Sequence, residues 1–207
     1  MTHDLIVIGA GPAGLSAAVT AAKLGLNTVI IDEQPRPGGQ IYRNVTTVSR
    51  EVSTILGPDY AYGRHLAESI TVTGVDARFG AMAWDIVRDL TVTALQNGRS
   101  LQFRAPQLIA ATGAVERTSP LPRWTLPGVL NAGAAQIALK SGGSIPSGKI
   151  VPAGGGPLLL LVACQLLEAG ASICGIVKTS PFSNLLRALP LPLDAILAPK
   201  PLVKASP

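Results

Sequence analysis

The chain has 207 residues, of which 47 % are apolar, 14 % charged and only 4 % aromatic. This excludes a disordered chain and calls for an aliphatic, close-packed core in one large domain or two small ones. The net charge of +5 arises wholly beyond residue 104, and its Lys and Arg are scattered without interleaved aromatics, which excludes a nucleic-acid groove.

Leu5-Ile6-Val7-Ile8 is a short, fully apolar run of the kind that forms a parallel strand buried on both faces. It stops at Gly9-Ala10-Gly11-Pro12-Ala13-Gly14, and an Ala-rich helix follows to about Leu24, with Pro12 in its first turn and Gly25 past its end. Thr28-Val29-Ile30-Ile31 is the second strand, so Leu5 to Ile31 reads as one βαβ unit. A loop over Pro35–Gly39 and a helix near Tyr60–Ser69 come next. From Ala81 the pattern turns antiparallel: Ala81–Val87, Leu90–Gln96, an Asn97-Gly98 turn, then Ser100–Arg104. Leu108 to Ala111 returns as a buried strand ending at Thr112-Gly113.

Pro120, Pro122 and Pro127 mark a linker, after which Asn131 caps a helix running to Ser141. A second βαβ unit is expected from Lys149–Val151, a glycine turn, a helix over Leu158–Ala169 and a strand over Ile173–Val177. The last 27 residues carry six prolines and are expected to be poorly ordered. The expected fold is thus α/β: a Rossmann-like dinucleotide domain with a parallel sheet and an antiparallel hairpin insert over 1–118, a linker over 119–130, a partial second Rossmann-like unit over 131–180 and a Pro-rich tail over 181–207.

The Gly9-x-Gly11-x-x-Gly14 spacing between a buried strand and a helix fits a dinucleotide loop. Gly9 permits the turn, Gly11 lets a pyrophosphate approach the backbone, and Gly14 lets helix and strand pack closely. The phosphates would sit at the helix N-terminus, among them the first-turn residues Pro12 and Ala13. An acid at the end of the second strand should hold a ribose hydroxyl. Asp32 is in that place, and strand alternation turns its neighbour Glu33, the other candidate, away. The spacing itself leaves open which dinucleotide binds.

Four further stretches narrow the choice: "DEQPRPGGQIYR" (32–43), "ATGAVER" (111–117), "WTLPGVLNAGAAQ" (124–136) and "GGGPLLLLVACQLL" (154–167). Together they resemble the FAD-binding subunit of multi-subunit amine and imino-acid dehydrogenases, of the opine oxidase A, hydrogen cyanide synthase B and D-hydroxyproline dehydrogenase type, within the two-dinucleotide-domain flavoproteins. The resemblance covers nearly the whole chain to about residue 178. It implies FAD, with Gly38, Gly39, Gln40, Ile41, Ala111, Thr112 and Gly113 joining the contact set. It also implies electron transfer from an amine, opine or imino-acid substrate handled with partner subunits in a hetero-oligomer. A returning Gly-Asp segment of that family is absent from 1–207, so the chain reads as C-terminally truncated, a weak flavin binder when alone. A non-catalytic fragment keeping the fingerprint and an NAD(P)H-dependent flavin reductase are the alternatives.

The second glycine loop, Gly154-x-Gly156-x-x-Leu159, carries Leu where Gly or Ala belongs, Lys178 where an acid belongs, and Pro152 inside the preceding strand. A structural turn is favoured over a site for NAD(P) or another adenylate. No catalytic side chain is evident. Cys164 and Cys174 read as buried small residues, and His3 and His65 as surface histidines without carboxylate partners. Trp84 and Trp124 read as packing or interdomain residues, and no metal cluster is expected. The N-terminus has no basic segment before an apolar run, and no apolar stretch reaches the ~20 residues of a spanning helix, so a cytoplasmic protein without transmembrane segment is expected.

Overall fold

Residues Leu5–Ile8 form β1, buried along its whole length, in a computed structural model that describes residues 1–118 and 120–180. Helix α1 (Pro12–Lys23) leads to β2 (Thr28–Asp32). Helices α2 (Arg50–Leu56) and α3 (Pro58–Val72) precede β3 (Asp76–Phe79). Strands β4 (Ala81–Ile86), β5 (Thr91–Gln96) and β6 (Arg99–Arg104) follow, and β7 (Gln107–Ala110) completes the first of two compact units, Met1–Arg117.

Four strands make one parallel sheet in the order β3-β2-β1-β7, with Leu5 opposite both Thr28 and Gln107. The alternation of side chains along β1 and β2 explains why every residue of the two apolar runs is buried. Leu5, Val7 and Ile30 face Leu15, Ala18 and Val19 of α1 and Ile70 of α3. Ile6, Ile8, Val29 and Ile31 face Val92, Ala94 and Phe103 of the antiparallel sheet β4-β5-β6. Helices, parallel sheet and antiparallel sheet are therefore three layers sharing two apolar seams, and a strand covered on both sides has no polar position to offer.

The hairpin turn lies where its sequence demands, with Asn97 and Gly98 at φ 51° and 73°, the left-handed pair that joins twisted strands. Leu90, expected in a strand, is instead in the preceding turn at φ 61°, donating its N–H to the Val87 carbonyl. Two elements had no clear signal. Helix α2 is only seven residues long, begun by the Ser49 hydroxyl accepting from the Val52 N–H. Strand β3 carries Asp76 and Arg78, which pair with each other at 2.8 Å and so mask its strand character.

In the residues from Thr118 on, α4 (Ala132–Gly142) ends on Gly143 in the left-handed conformation. Asn131 stands at its N-cap position but does not cap it; its side-chain amide donates to the Thr118 hydroxyl instead. The expected strands there are broken. Lys149–Ile150 (β8) pairs with Ser172–Ile173 (β10), and Ala153–Gly154 (β9) pairs with Val177–Lys178 (β11), each only two residues long. Pro152 sits at the break, where it has no N–H for a ladder, although its carbonyl still accepts from the Val177 N–H at 2.8 Å. Between them α5 (Pro157–Glu168) packs Val162 and Leu166 against Ala135 of α4 and Ala171. A polar link accompanies this seam: Gln136 donates to Gln165, and the buried Lys140 ammonium donates to Gln136. No helix among the described residues is long and apolar enough to cross a membrane. The expected Pro-rich tail over 181–207 lies outside the described residues.

Candidate functional site

The carboxyl ends of β1, β2 and β7 open onto one cleft of about 480 Å³, a volume in the ~300–1,000 Å³ range of ligand sites. Its position follows from the topology, since open α/β sheets leave a crevice where neighbouring strands feed connections to opposite sides. Three of the glycines around it are explained by protein packing. A Cβ on Gly9, at φ 100°, would overlap the Ala111 carbonyl oxygen, and one on Gly14 would overlap the Gly9 carbonyl oxygen. Gly39, at φ 58°, would place a Cβ 2.7 Å from the Gly11 Cα.

Gly11 is different. A Cβ there meets nothing nearer than the Gly39 Cα at 4.0 Å, and its backbone is extended, so no contact within the protein forbids a side chain. The residue is the N-cap of α1, which has no side-chain cap and no acid in its first turn. The first-turn N–H groups and the positive end of the helix are thus left to an external anion.

Asp32, half-buried at the end of β2, accepts from the Ala10 N–H at 2.5 Å through one oxygen and from the Gln34 N–H at 2.7 Å through the other. It therefore ties the glycine loop to the β2 end. A carboxylate offers about four acceptor positions, so each oxygen keeps capacity for a hydroxyl donor.

Of the residues picked out from sequence, Gly9, Gly11, Asp32, Glu33, Gly39, Gln40, Ile41, Ala111, Thr112 and Gly113 line this one cleft. Glu33 does so although alternation was expected to turn it away, because β2 ends at Asp32 and the alternation ends with it. Pro12 and Ala13 form the first turn of α1, while Gly14 and Gly38 are buried behind the loop, Gly38 donating its N–H to the Ala10 carbonyl at 2.8 Å. Sequence reasoning missed Gln34, Arg43 and the start of β4, Ala81 to Ala83, all of which line the cleft. Arg43 lay in the quoted 32–43 stretch; nothing local marks the β4 residues, which are brought there by the long connection through α3 and β3.

The glycine cradle, the acid and the strand order find their counterpart in one family: residues 3–197 match Pyridine nucleotide-disulphide oxidoreductase. The chain belongs to that family. Among its relatives, an opine oxidase subunit of Agrobacterium tumefaciens (strain Ach5) is 46 % identical over 199 residues, covering 91 % of this chain and 40 % of that protein. Hydrogen cyanide synthase subunit HcnB of Pseudomonas aeruginosa is 34 % identical over 189 residues, covering 88 % of this chain and 40 % of that one. The crystal structure of L-proline dehydrogenase from P. horikoshii shares the fold with a TM-score of 0.69 at 20 % identity, over 86 % of this chain and 36 % of that one. The chain thus spans about two fifths of the length of these curated relatives.

This pyridine nucleotide-disulphide oxidoreductase family member departs from three sequence expectations. Cys164 and Cys174 are free and exposed, not buried. Cys164 lies on α5 off the face made by Leu159, Val162, Ala163 and Leu166, the residues that pack. The His3 imidazole is 7 % exposed and its Nε2 lies 3.3 Å from Asp76, because the N-terminal residues run beside β6 and bring it to β3. Trp84 and Trp124 are exposed, which removes the packing reading of the two expected for them, Trp84 falling in a β-bulge between Ala83 and Asp85.

At the second loop, Leu159 is buried and its Cδ1 lies 3.7 Å from where a Gly154 Cβ would stand. Ser180 occupies the space beside Gly155, and Lys178 is exposed at the end of β11, opposite Gly154.

Proposed function

We propose that this chain is the FAD-binding part of an oxidoreductase that oxidises a C–N bond of an amine, opine or imino acid together with partner subunits. The observation that carries the reading is Gly11, a residue without a side chain that no protein contact requires, at an uncapped helix end facing a 480 Å³ cleft. Space and N–H groups held for a pyrophosphate explain it, and Asp32 beside it supplies acceptors for the adenosine ribose.

FAD, when bound, supplies a two-electron acceptor. The protein's own part is to hold it. The first turn of α1 from Gly11 on would take the pyrophosphate, and Asp32, with Glu33 at the cleft edge, the ribose. The turn Gly39-Gln40-Ile41 and the strand end Ala111-Thr112-Gly113 would enclose the remaining length. The substrate class and the partner chains are argued from the names of the relatives, one of them part of opine oxidase and the other part of hydrogen cyanide synthase.

The test is purification of the chain with and without co-expressed candidate partner subunits, followed by a flavin absorption spectrum and amine-dependent dye reduction. Bound FAD, and dye reduction in the reconstituted complex, support the reading. Tight NADH binding with no uptake of FAD would sink it.

A further inference from the structure

The acidic residues of the cleft raise a question that the glycine loop does not answer. Asp32 and Glu33 both line it, yet a dinucleotide brings negative charge of its own. Among the described residues that line the cleft, Arg43 is the one cation. The ion pairs found among the described residues, His3–Asp76, Arg64–Glu68, Arg78–Asp76 and Arg104–Asp89, do not include it.

Its setting is built rather than incidental. The Arg43 Nη1 donates to the Gln34 side-chain oxygen, and Gln34 is itself fixed by its N–H on Asp32. The Arg43 carbonyl accepts from the Tyr60 hydroxyl at 2.5 Å, so α3 holds the backbone. The neighbouring Tyr42 ring lies so close to Gly63 of α3 that any side chain there would overlap it. Nε of Arg43 is buried and has no acceptor among the described residues. The guanidinium lines the cleft as its one cation, held through Nη1 on Gln34 and outside the ion pairs, so the charge it brings there is left for an anion that enters the cleft.

We propose that Arg43 is a specificity-determining residue that donates to the pyrophosphate oxygens of the bound dinucleotide and offsets the charge of Asp32 and Glu33. The inference rests on the reading of the cleft as a dinucleotide site. It assigns the residue a charge-dependent role: Arg43 distinguishes a phosphorylated ligand from its neutral nucleoside.

Calorimetric titration of the full chain with FAD, ADP and adenosine tests it, for wild type, R43M and R43K. R43M should weaken FAD and ADP on the order of ten- to a hundredfold, the range of a charge-assisted hydrogen bond, and leave adenosine unchanged. R43K, which keeps the charge but not the planar fork, should fall between. FAD and ADP affinities within twofold of wild type in R43M overturn the proposal. So does an equal loss for adenosine, which would mean contact with the base or a packing role. Thermal melting reports whether R43M folds; if it does not, R43K decides, and unchanged ADP binding there overturns the proposal. Wild type that binds neither FAD nor ADP overturns the dinucleotide reading itself, an outcome distinct from a wild type that binds both and an R43M that binds them equally well.

Discussion

The Tyr60 hydroxyl donates to the Arg43 carbonyl at 2.5 Å, tying the loop beneath the cleft to helix α3. Burial pushes the Tyr60 phenol up from 10.0 to about 12, with the Arg64 charge opposing in part. The neutral phenol is the form the fold favours. The contribution of this phenol to stability is therefore fully present below pH 10 and declines as pH rises from 10 toward 12. Spectrophotometric titration of Y60F against wild type checks this: the late tyrosine ionisation should vanish, and the alkaline loss of stability between those values should flatten. Y60F should also cost about 1 kcal/mol at neutral pH, the usual worth of one hydrogen bond.

The glycine loop separates two kinds of damage. Gly14→Ala drives a methyl into the Gly9 carbonyl, and should lower stability by about 1–3 kcal/mol, as overpacking does. At Gly11 a Cβ makes only an ordinary van der Waals contact, 4.0 Å from the Gly39 Cα, so the melting temperature of Gly11→Val should stay near wild type while FAD binding is lost. Denaturation curves and flavin content, measured on both variants, check the split. A Gly11→Val protein that melts early and keeps its flavin would contradict the assignment.

Ile30 is fully buried between strand neighbours and the helical layer. Ile30→Ala should cost about 2–5 kcal/mol, read as a shift of the urea midpoint with unchanged slope. The exposed Ile41 at the cleft rim offers the contrast: Ile41→Ala should leave the midpoint within about 0.5 kcal/mol.

The strand–glycine–helix–strand–acid order was legible because each residue there answers to a local rule: apolar runs for two-faced burial, Gly9 for a positive φ, Pro12 for a first turn. The same rules were silent on β3, since Asp76 and Arg78 satisfy each other across two positions and look like a surface segment. They were silent on Arg43 too, whose place in the cleft depends on Tyr60 seventeen residues later. They misled at His3, whose carboxylate partner Asp76 is distant in sequence. They misled again over Ile173–Val177, where an apolar run looks continuous but its partner strand is interrupted by Pro152. Local chemistry names the elements; long-range partners decide which charges meet.

The two cysteines afford another check. Cys164 and Cys174 are exposed, so a thiol reagent should titrate both in the native protein without denaturant. The C164A/C174A variant should keep the flavin content and the dye reduction of wild type. Reduction lost with the fold intact would place a thiol in turnover.

The pairing of Leu5 with Gln107 sets a timetable for synthesis. β1 leaves the ribosome about a hundred residues before the strand on its second side, or ~5–20 s at ordinary elongation rates. Through that interval a four-residue, wholly apolar strand has one open edge, a template for pairing with another nascent chain. Expression yield should therefore respond to slower translation and to chaperone supply more than the stability of the finished fold would suggest.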